Sequence, residues 1–354
     1  NVDELCERGL CVKGDGLRNW LQTMVESMKI LLLTYRDLQG ILTPRMVLKA
    51  VEEAFREKGL GRVQMPPKVY LYFRRHEGDL RVMPSYLESL EASGVKVVNV
   101  HPNNPKLHGL PTVMAVMILV NPRTGEPYAI MDGTLITAYR TGAAAAVATK
   151  YLARNGSSTL GLVGAGVQSR SQLVSLREVV DVKLVKVYDA DESRVREFVE
   201  EMAGLVDFQV HPSRSVEECV SRSDIVCTTT PSRAPLVKDK WIQEGTHINA
   251  IGADAPGKQE LDPDILRRAK IVVDDLEQAS HSGEINVPLS QGFISLQDVY
   301  GELSEIVCGF KDGRVDEDEV TVFDSTGLSI QDVATAVAAY EMALKKNVGT
   351  RIEF

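Results

Sequence analysis

The chain has 354 residues, 44% apolar and 25% charged, a composition typical of globular proteins and a length that suits two domains. Its net charge of -9 argues against nucleic acid or an anionic membrane as partner, and no apolar run is long enough to cross a bilayer. Five scattered cysteines point to reduced thiols and the cytoplasm, and six histidines without ligand spacing point away from a metal.

Residues 1–27 read as an extension, without the basic, Ser-rich character of a transit peptide or the apolar centre of a signal peptide. The alternative is a helix docked through an apolar stripe over 20–25. A clean pattern starts at Met28. An apolar strand over 29–34 precedes Thr43 and Pro44, an N-cap and first helical residue, with Met46, Val47, Ala50, Val51, Ala54 and Phe55 following at helical spacing. Residues 68–73 alternate as a strand, Gly78 and Asp79 make a turn, and a short strand follows over 80–83. Strands over 95–100 and 113–120, a turn at Pro122 and Gly125, and a return over 128–131 make this half strand-rich and mainly antiparallel.

The grammar changes after Tyr139. Residues 142–148 are nearly all Gly and Ala, so this helix must be closely approached, by a sheet or a cofactor. Strands over 159–163, 184–188, 224–227, 247–251 and 271–274 then alternate with helices near 171–179 and 192–203. That alternation is the signature of an α/β, doubly wound parallel sheet. A strand over 319–323 and a helix over 329–346 close the chain, and the helix is placed to return to the first half.

Gly164, Ala165, Gly166, Val167, Gln168 and Ser169 spell G-x-G-x-x-S between a strand and a helix. Gly164 allows the tight turn, and Gly166 lets the backbone approach a pyrophosphate at the helix N-terminus. Ser169 replaces the third glycine and is still small. Asp189 ends the next strand, about 20 residues on, where a carboxylate can accept from ribose hydroxyls and repel a 2′-phosphate. These features point to NAD rather than NADP, although Arg194 and Arg196 lie close enough to accommodate a phosphate. Thr229, ending another strand, is a candidate for the nicotinamide side.

Several separated motifs share one pattern. They are Met65-Pro66-Pro67-Lys68, Asn99-Val100-His101-Pro102, Arg140-Thr141-Gly142 with its alanines, the Gly164 turn, N-A-I-G-A-D from Asn249 to Asp254, and Phe323-Asp324-Ser325-Thr326-Gly327. From about Met28 to the C-terminus the chain resembles the ornithine cyclodeaminase/mu-crystallin family, and within it the archaeal alanine dehydrogenase branch. The resemblance implies a homodimer and a Rossmann-type domain over 141–326. It also implies a discontinuous, strand-rich α+β substrate-binding and dimerisation domain over 28–140 and 327–354. To the cofactor residues of the turn it adds Arg140, Thr141, Asn249, Ala250, Ile251 and Ser325.

Reactions of such a family share hydride transfer between an amino-acid α-carbon and nicotinamide, through an imine. Lys68, stiffened by Pro66 and Pro67, is the expected acid/base, since a lysine desolvated near other cations loses its proton more readily. Asp254, in the crevice after a strand, is the expected helper in proton transfer. Lys96 and Arg140 are the family-matched cations for the substrate. Arg81 occupies a slot where cyclodeaminases carry a carboxylate for ornithine's distal ammonium. A cation there repels a diamino acid and offers a fork to a carboxylate. The expected activity is reversible, NAD-dependent deamination of L-alanine to pyruvate and ammonium. The alternatives are ornithine cyclodeamination or cyclic-imine reduction, and a non-catalytic NAD(P)H or small-ligand binder.

Overall fold

A computed structural model describes residues 29–205 and 208–353, so the expected extension over 1–27 lies outside the described residues. Strand β1 (Lys29–Leu33) leads to helix α1 (Pro44–Gly59). The Thr43 hydroxyl accepts the Met46 N–H, and Pro44 sits where no N–H is required. Val47, Val51, Ala54 and Phe55 form its buried face.

The next strands are β2 (Val63–Gln64), β3 (Val69–Phe73), β4 (Gly78–Leu87), β5 (Ala92–Val100), β6 (Val113–Val120) and β7 (Pro127–Asp132). Two expectations need correction. The bend after β3 lies over Arg74–His76 with Glu77 left-handed, so Gly78 and Asp79 are already inside β4. β4 also runs on through Pro84. Its other flank pairs with β3 over 78–82 and with β2 at 86–87, so Pro84 falls where one flank has no partner strand and a missing N–H is tolerated.

Helix α2 (Gly133–Leu152) is capped by Asp132, whose carboxylate accepts the Leu135 N–H, and is almost wholly buried. The boundary expected at 140/141 falls inside it. Strand β8 (Thr159–Val163) follows, then α3 (Val167–Leu176), β9 (Leu184–Tyr188), α4 (Glu192–Ala203), β10 (Gln209–Pro212) and β11 (Ile225–Thr228). The close neighbour of Gly142 is α3, while the helix as a whole also lies against strand β6 and the later strand His247–Ala250. A Cβ at Gly142 would lie 2.3 Å from the Ser171 carbonyl oxygen, so the small face is what lets two helix backbones touch. The chain continues through β12 (Arg233–Val237), β13 (His247–Ala250), β14 (Gln259–Leu261), β15 (Lys270–Val273), β16 (Val299–Glu302), β17 (Thr321–Asp324), α5 (Ser329–Lys346) and β18 (Thr350–Glu353).

The first eight-stranded sheet has the order β18-β1-β7-β6-β5-β4-β2, with β3 also on β4, and is antiparallel except at β1–β7. The second, also eight-stranded, has the order β10-β9-β8-β11-β13-β17-β15-β16 and is parallel throughout. The chain runs outward from β8 and then returns to β11. The crevice at the carboxyl ends of these two strands is where an open α/β sheet binds its ligand. Helix α5 comes back to the first sheet and packs on α1, β4 and β5.

Candidate active site

The turn after β8 has the geometry its glycines call for. Gly164 adopts φ +108°, its N–H donates to the Tyr188 carbonyl at 2.7 Å, and a Cβ there would lie 2.6 Å from Thr229 Oγ1. Ser169 is fully buried; its hydroxyl donates to the Gly164 carbonyl and meets Thr229 Oγ1 at 2.8 Å. This explains why a serine serves in the third glycine's place. A Cβ at Gly166 would meet nothing within 4 Å, so that face of the turn is open. Helix α3 starts at Val167 without a side-chain cap, and the Val167 side chain is 68% exposed. Open space, uncapped N–H groups and a bare apolar side chain together form a cradle that fits a dinucleotide. Asp189 Oδ2 accepts the Ala165 N–H at 2.8 Å, which ties the turn to the end of β9. Arg194 and Arg196 are drawn to Asp191 and Glu192 on their own helix, each at 3.8 Å.

Beside the turn lies a cavity of about 150 Å³. Lys68, Arg81, Lys96, Arg140 and Asp254 all line it, with Thr141, Gln168, Ile251 and Ser325. Met83, Val98, Val100 and Val113 supply an apolar wall. The pleat explains the cations: Arg81, Met83 and Ser85 share one face of β4, and Lys96 lies directly opposite Met83 on β5. Gln168 Oε1 is buried and makes no hydrogen bond among the described residues.

Lys96 is fully buried and meets Asp332 Oδ2 at 2.7 Å, while Arg140 Nε donates to Asp332 Oδ1 at 2.9 Å. Two cations thus share one carboxylate, leaving net positive charge for an incoming anion. Burial lowers the Lys96 ammonium to about 7, Arg140 pushes the same way and Asp332 opposes. Lys68 donates to the Thr326 carbonyl at 2.6 Å. Burial lowers it to about 8 against the pull of Asp274 and Asp254.

Arg81 departs from the expected free fork. Its Nε and Nη2 donate to Asp79 at 2.8 and 3.2 Å, and Nη1 donates to Asp254 at 2.9 Å. Its guanidinium also lies 5.3 Å from the Tyr70 ring centroid. The protein's own carboxylates therefore occupy much of the fork. Asp254 is gripped in turn by Lys258 at 2.5 Å. Burial works to raise its carboxyl, but Arg81 and Lys258 outweigh burial and hold it well below the usual carboxylate range. Near neutrality it is an anion that organises cations and accepts hydrogen bonds, not a proton donor.

Asn249 and Ala250 do not reach the cavity. Both are fully buried, and the Asn249 amide donates to Thr149 Oγ1 at 2.9 Å while its oxygen lies 3.2 Å from His247 Nε2. A buried amide must satisfy itself on its neighbours, and here those belong to the interior. The sequence reading missed Asp79, Lys258, Asp274 and Asp332. Two left a spacing signal: Asp79 shares a strand face with Arg81, and Lys258 is four residues from Asp254. Asp332 left a weaker one, an acid in the first turn of a helix whose next seven residues are small or apolar. Among the described residues no group of His, Cys, Asp and Glu is placed to hold a metal ion.

Comparison with known proteins gives the same pattern over nearly the whole chain. The model of the ornithine cyclodeaminase/mu-crystallin family matches residues 28–347. An alanine dehydrogenase of Archaeoglobus fulgidus is 53% identical over 327 residues, 92% of this chain and 99% of that protein. The structure of an archaeal alanine dehydrogenase dimer with bound NAD is similar with a TM-score of 0.88 at 52% identity, covering 92% of this chain and all of that one. The Δ1-pyrroline-2-carboxylate reductase of Thermococcus litoralis, in complex with NADH and L-proline, gives a TM-score of 0.89 at 43% identity, covering 91% of this chain and all of that one. With the turn, the parallel sheet and the cation-lined cavity in place, the chain belongs to the ornithine cyclodeaminase/mu-crystallin family.

Proposed function

We propose that this chain is a NAD-dependent oxidoreductase acting on a small amino acid, with L-alanine, water and NAD giving pyruvate, ammonium, NADH and a proton. The observation that carries the reading is one cavity, next to a dinucleotide cradle, that gathers Lys68, Arg81, Lys96 and Arg140. NAD would lie on the 164–169 turn, its adenosine ribose near Asp189 and its nicotinamide toward Thr229, Ile251 and Ser325. When bound it takes the hydride from the substrate's α-carbon. The chain's own residues supply the rest. The net positive charge of Lys96 and Arg140 around Asp332 holds the carboxylate. Lys68 Nζ exchanges a proton with the substrate nitrogen or the attacking water. Asp254 keeps Arg81 and Lys258 in place.

Arg81 adds a cation to the cavity wall, which disfavours the second ammonium of a diamino acid, although Asp79 and Asp254 compensate much of that charge. It does not decide against a cyclic imine. The likeness to the Thermococcus litoralis reductase favours, as second reading, reduction of Δ1-pyrroline-2-carboxylate, whose ring methylenes suit the Met83, Val98 and Val113 wall. The test is NAD or NADP reduction with L-alanine, L-proline and L-ornithine, and NADH oxidation with pyruvate plus ammonium or with the cyclic imine. Faster turnover of proline and its imine than of alanine would replace the first reading by the second. No turnover of any of them would leave a nucleotide-binding protein.

We also propose that the two sheets mark a substrate-binding and dimerisation unit and a nucleotide-binding unit, and that the protein is a homodimer. Cys219, Cys227 and Cys308 are free thiols, which accords with a reducing compartment, and we take the cytoplasm as its place.

A further inference from the structure

Asp274 lies just beyond β15 and is fully buried. Its carboxylate is devoted to the 325–327 turn. Oδ2 accepts the N–H of Thr326 at 2.8 Å and that of Gly327 at 2.7 Å, and Oδ1 accepts the Thr326 hydroxyl at 2.9 Å. The Ser325 hydroxyl stands 3.5 Å from Oδ2. Donors from three consecutive residues converge on one side chain, so the turn's backbone has little freedom to rotate. The Thr326 carbonyl is the group that accepts the Lys68 ammonium.

We propose that Asp274 is a positioning residue for Lys68: it clamps the 325–327 turn whose Thr326 carbonyl holds the ammonium, and it supplies a carboxylate charge facing that ammonium. The proposal rests on the reading of Lys68 as the proton-exchanging group.

The surrounding charges give Asp274 a distinct place. Arg81 and Arg140 favour neutral Lys68, whereas Asp274 and Asp254 favour the ammonium, and Lys96 lies within electrostatic reach. Asp254 is already committed to Arg81 and Lys258, and Asp274 has the stronger pull on Lys68. Asp274 itself faces Lys68, Asp275 and Asp324. Burial raises Asp274 to about 6 and lowers Lys68 to about 8, so Asp274 is charged over the range in which Lys68 titrates.

Asp274→Asn retains an acceptor for the two N–H groups and removes the charge. Losing the anion disfavours the ammonium, so the Lys68 limb of the pH–kcat profile is expected to move to lower pH by roughly one unit, with KM for NAD unchanged. Thr326→Val does the converse: it keeps the charge, removes the Oδ1 anchor, and is expected to lower kcat several-fold while the limb stays in place. Lys68→Ala separates the proposal from the reading beneath it. A limb that persists in its residual activity means that Lys68 is not the titrating group, and both fall. A limb that vanishes there, yet stands at its original pH in Asp274→Asn, overturns the Asp274 proposal alone. Should Asp274→Asn not fold, Thr326→Val decides, and an unchanged kcat rejects the clamp.

Discussion

The 164–169 turn and the cavity beside it are held together by different physics. In the turn, consecutive residues adopt one backbone path, with Gly164 at φ +108° and the Ser169 hydroxyl closing back on the Gly164 carbonyl. Its long-range anchors lie on two neighbouring strands: the Gly164 and Ala165 N–H groups donate to the Tyr188 carbonyl and to Asp189, and the Ser169 hydroxyl meets Thr229 Oγ1. The cavity is assembled from distant segments by charge: Lys68 meets Thr326 across 258 positions, and Lys96 meets Asp332 across 236. The turn needs small residues and a helix start. The cavity needs every buried cation to find an acceptor, because an unpaired one costs several kcal/mol. Substitutions in the turn should therefore act locally on the cofactor, whereas substitutions in the cavity should reach both chemistry and stability.

The largest expected effect is Lys68→Ala. Removing a positioned acid/base group costs about 10²- to 10⁴-fold in turnover. The turn is untouched, so NADH fluorescence titration should give an unchanged Kd. Turnover near the parent rate would remove Lys68 from the chemistry.

Asp332→Ala tests the charged half of the contrast. It leaves Lys96 and Arg140 buried without their shared carboxylate. The expected loss is about 3–5 kcal/mol of unfolding free energy, read from denaturant midpoints at constant slope. A loss below about 1 kcal/mol would mean that water reaches these cations and that burial does not control them.

Asp189→Ala tests the other half. It removes an acceptor from the ribose and one anchor of the turn, so both dinucleotides should bind less well. NAD should lose more than NADP, by about tenfold in the ratio of Kd values, because the repulsion of a 2′-phosphate goes with the same carboxylate. Unfolding should barely change, as Asp189 is not part of a buried ion pair. Equal losses for the two cofactors would leave no basis for the NAD preference.

The same contrast explains what was legible in the sequence. The turn, Asp189 and the alternation after residue 159 could be read because each depends on neighbours along the chain. Helix α5 matched its expected span of 329–346 for the same reason. The edge strands β10, β16 and β18 escaped, being short and poor in alternation. In the cavity, Lys68, Arg81, Lys96, Arg140 and Asp254 were named through a resemblance, and they do converge. Their partners Asp274 and Asp332 carry no motif of their own. A carboxylate that neutralises a distant cation is visible only once the sheets have brought the two together. Arg81 illustrates the gap: its residue type and its i, i+2 relation to Asp79 are local, but its bond to Asp254, 173 positions on, is not foreseeable from the strand alone.

The last test lies where the two regions meet. Gly142 on α2 faces α3, the helix that starts at the dinucleotide turn. A methyl group at residue 142 would stand 2.3 Å from the Ser171 carbonyl and 2.6 Å from the Ser171 and Ser175 hydroxyls, so α3 must shift. Overpacking of this kind costs about 1–3 kcal/mol, slightly offset by alanine's better helix propensity. Because Arg140 lies two residues earlier on the same helix, the strain can relax toward either region. If it relaxes through α3, Gly142→Ala should weaken NAD binding and leave KM for the amino acid unchanged. If it relaxes through α2, Arg140 moves and KM for the amino acid rises instead. The charged contacts of Arg140 with Asp332 and Gln331 make α2 the more firmly held of the two, so the first outcome is expected. Thermal unfolding with and without NAD, together with both KM values, separates them; a raised amino-acid KM with intact NAD affinity would show that the turn, not the cavity, is the more rigid region.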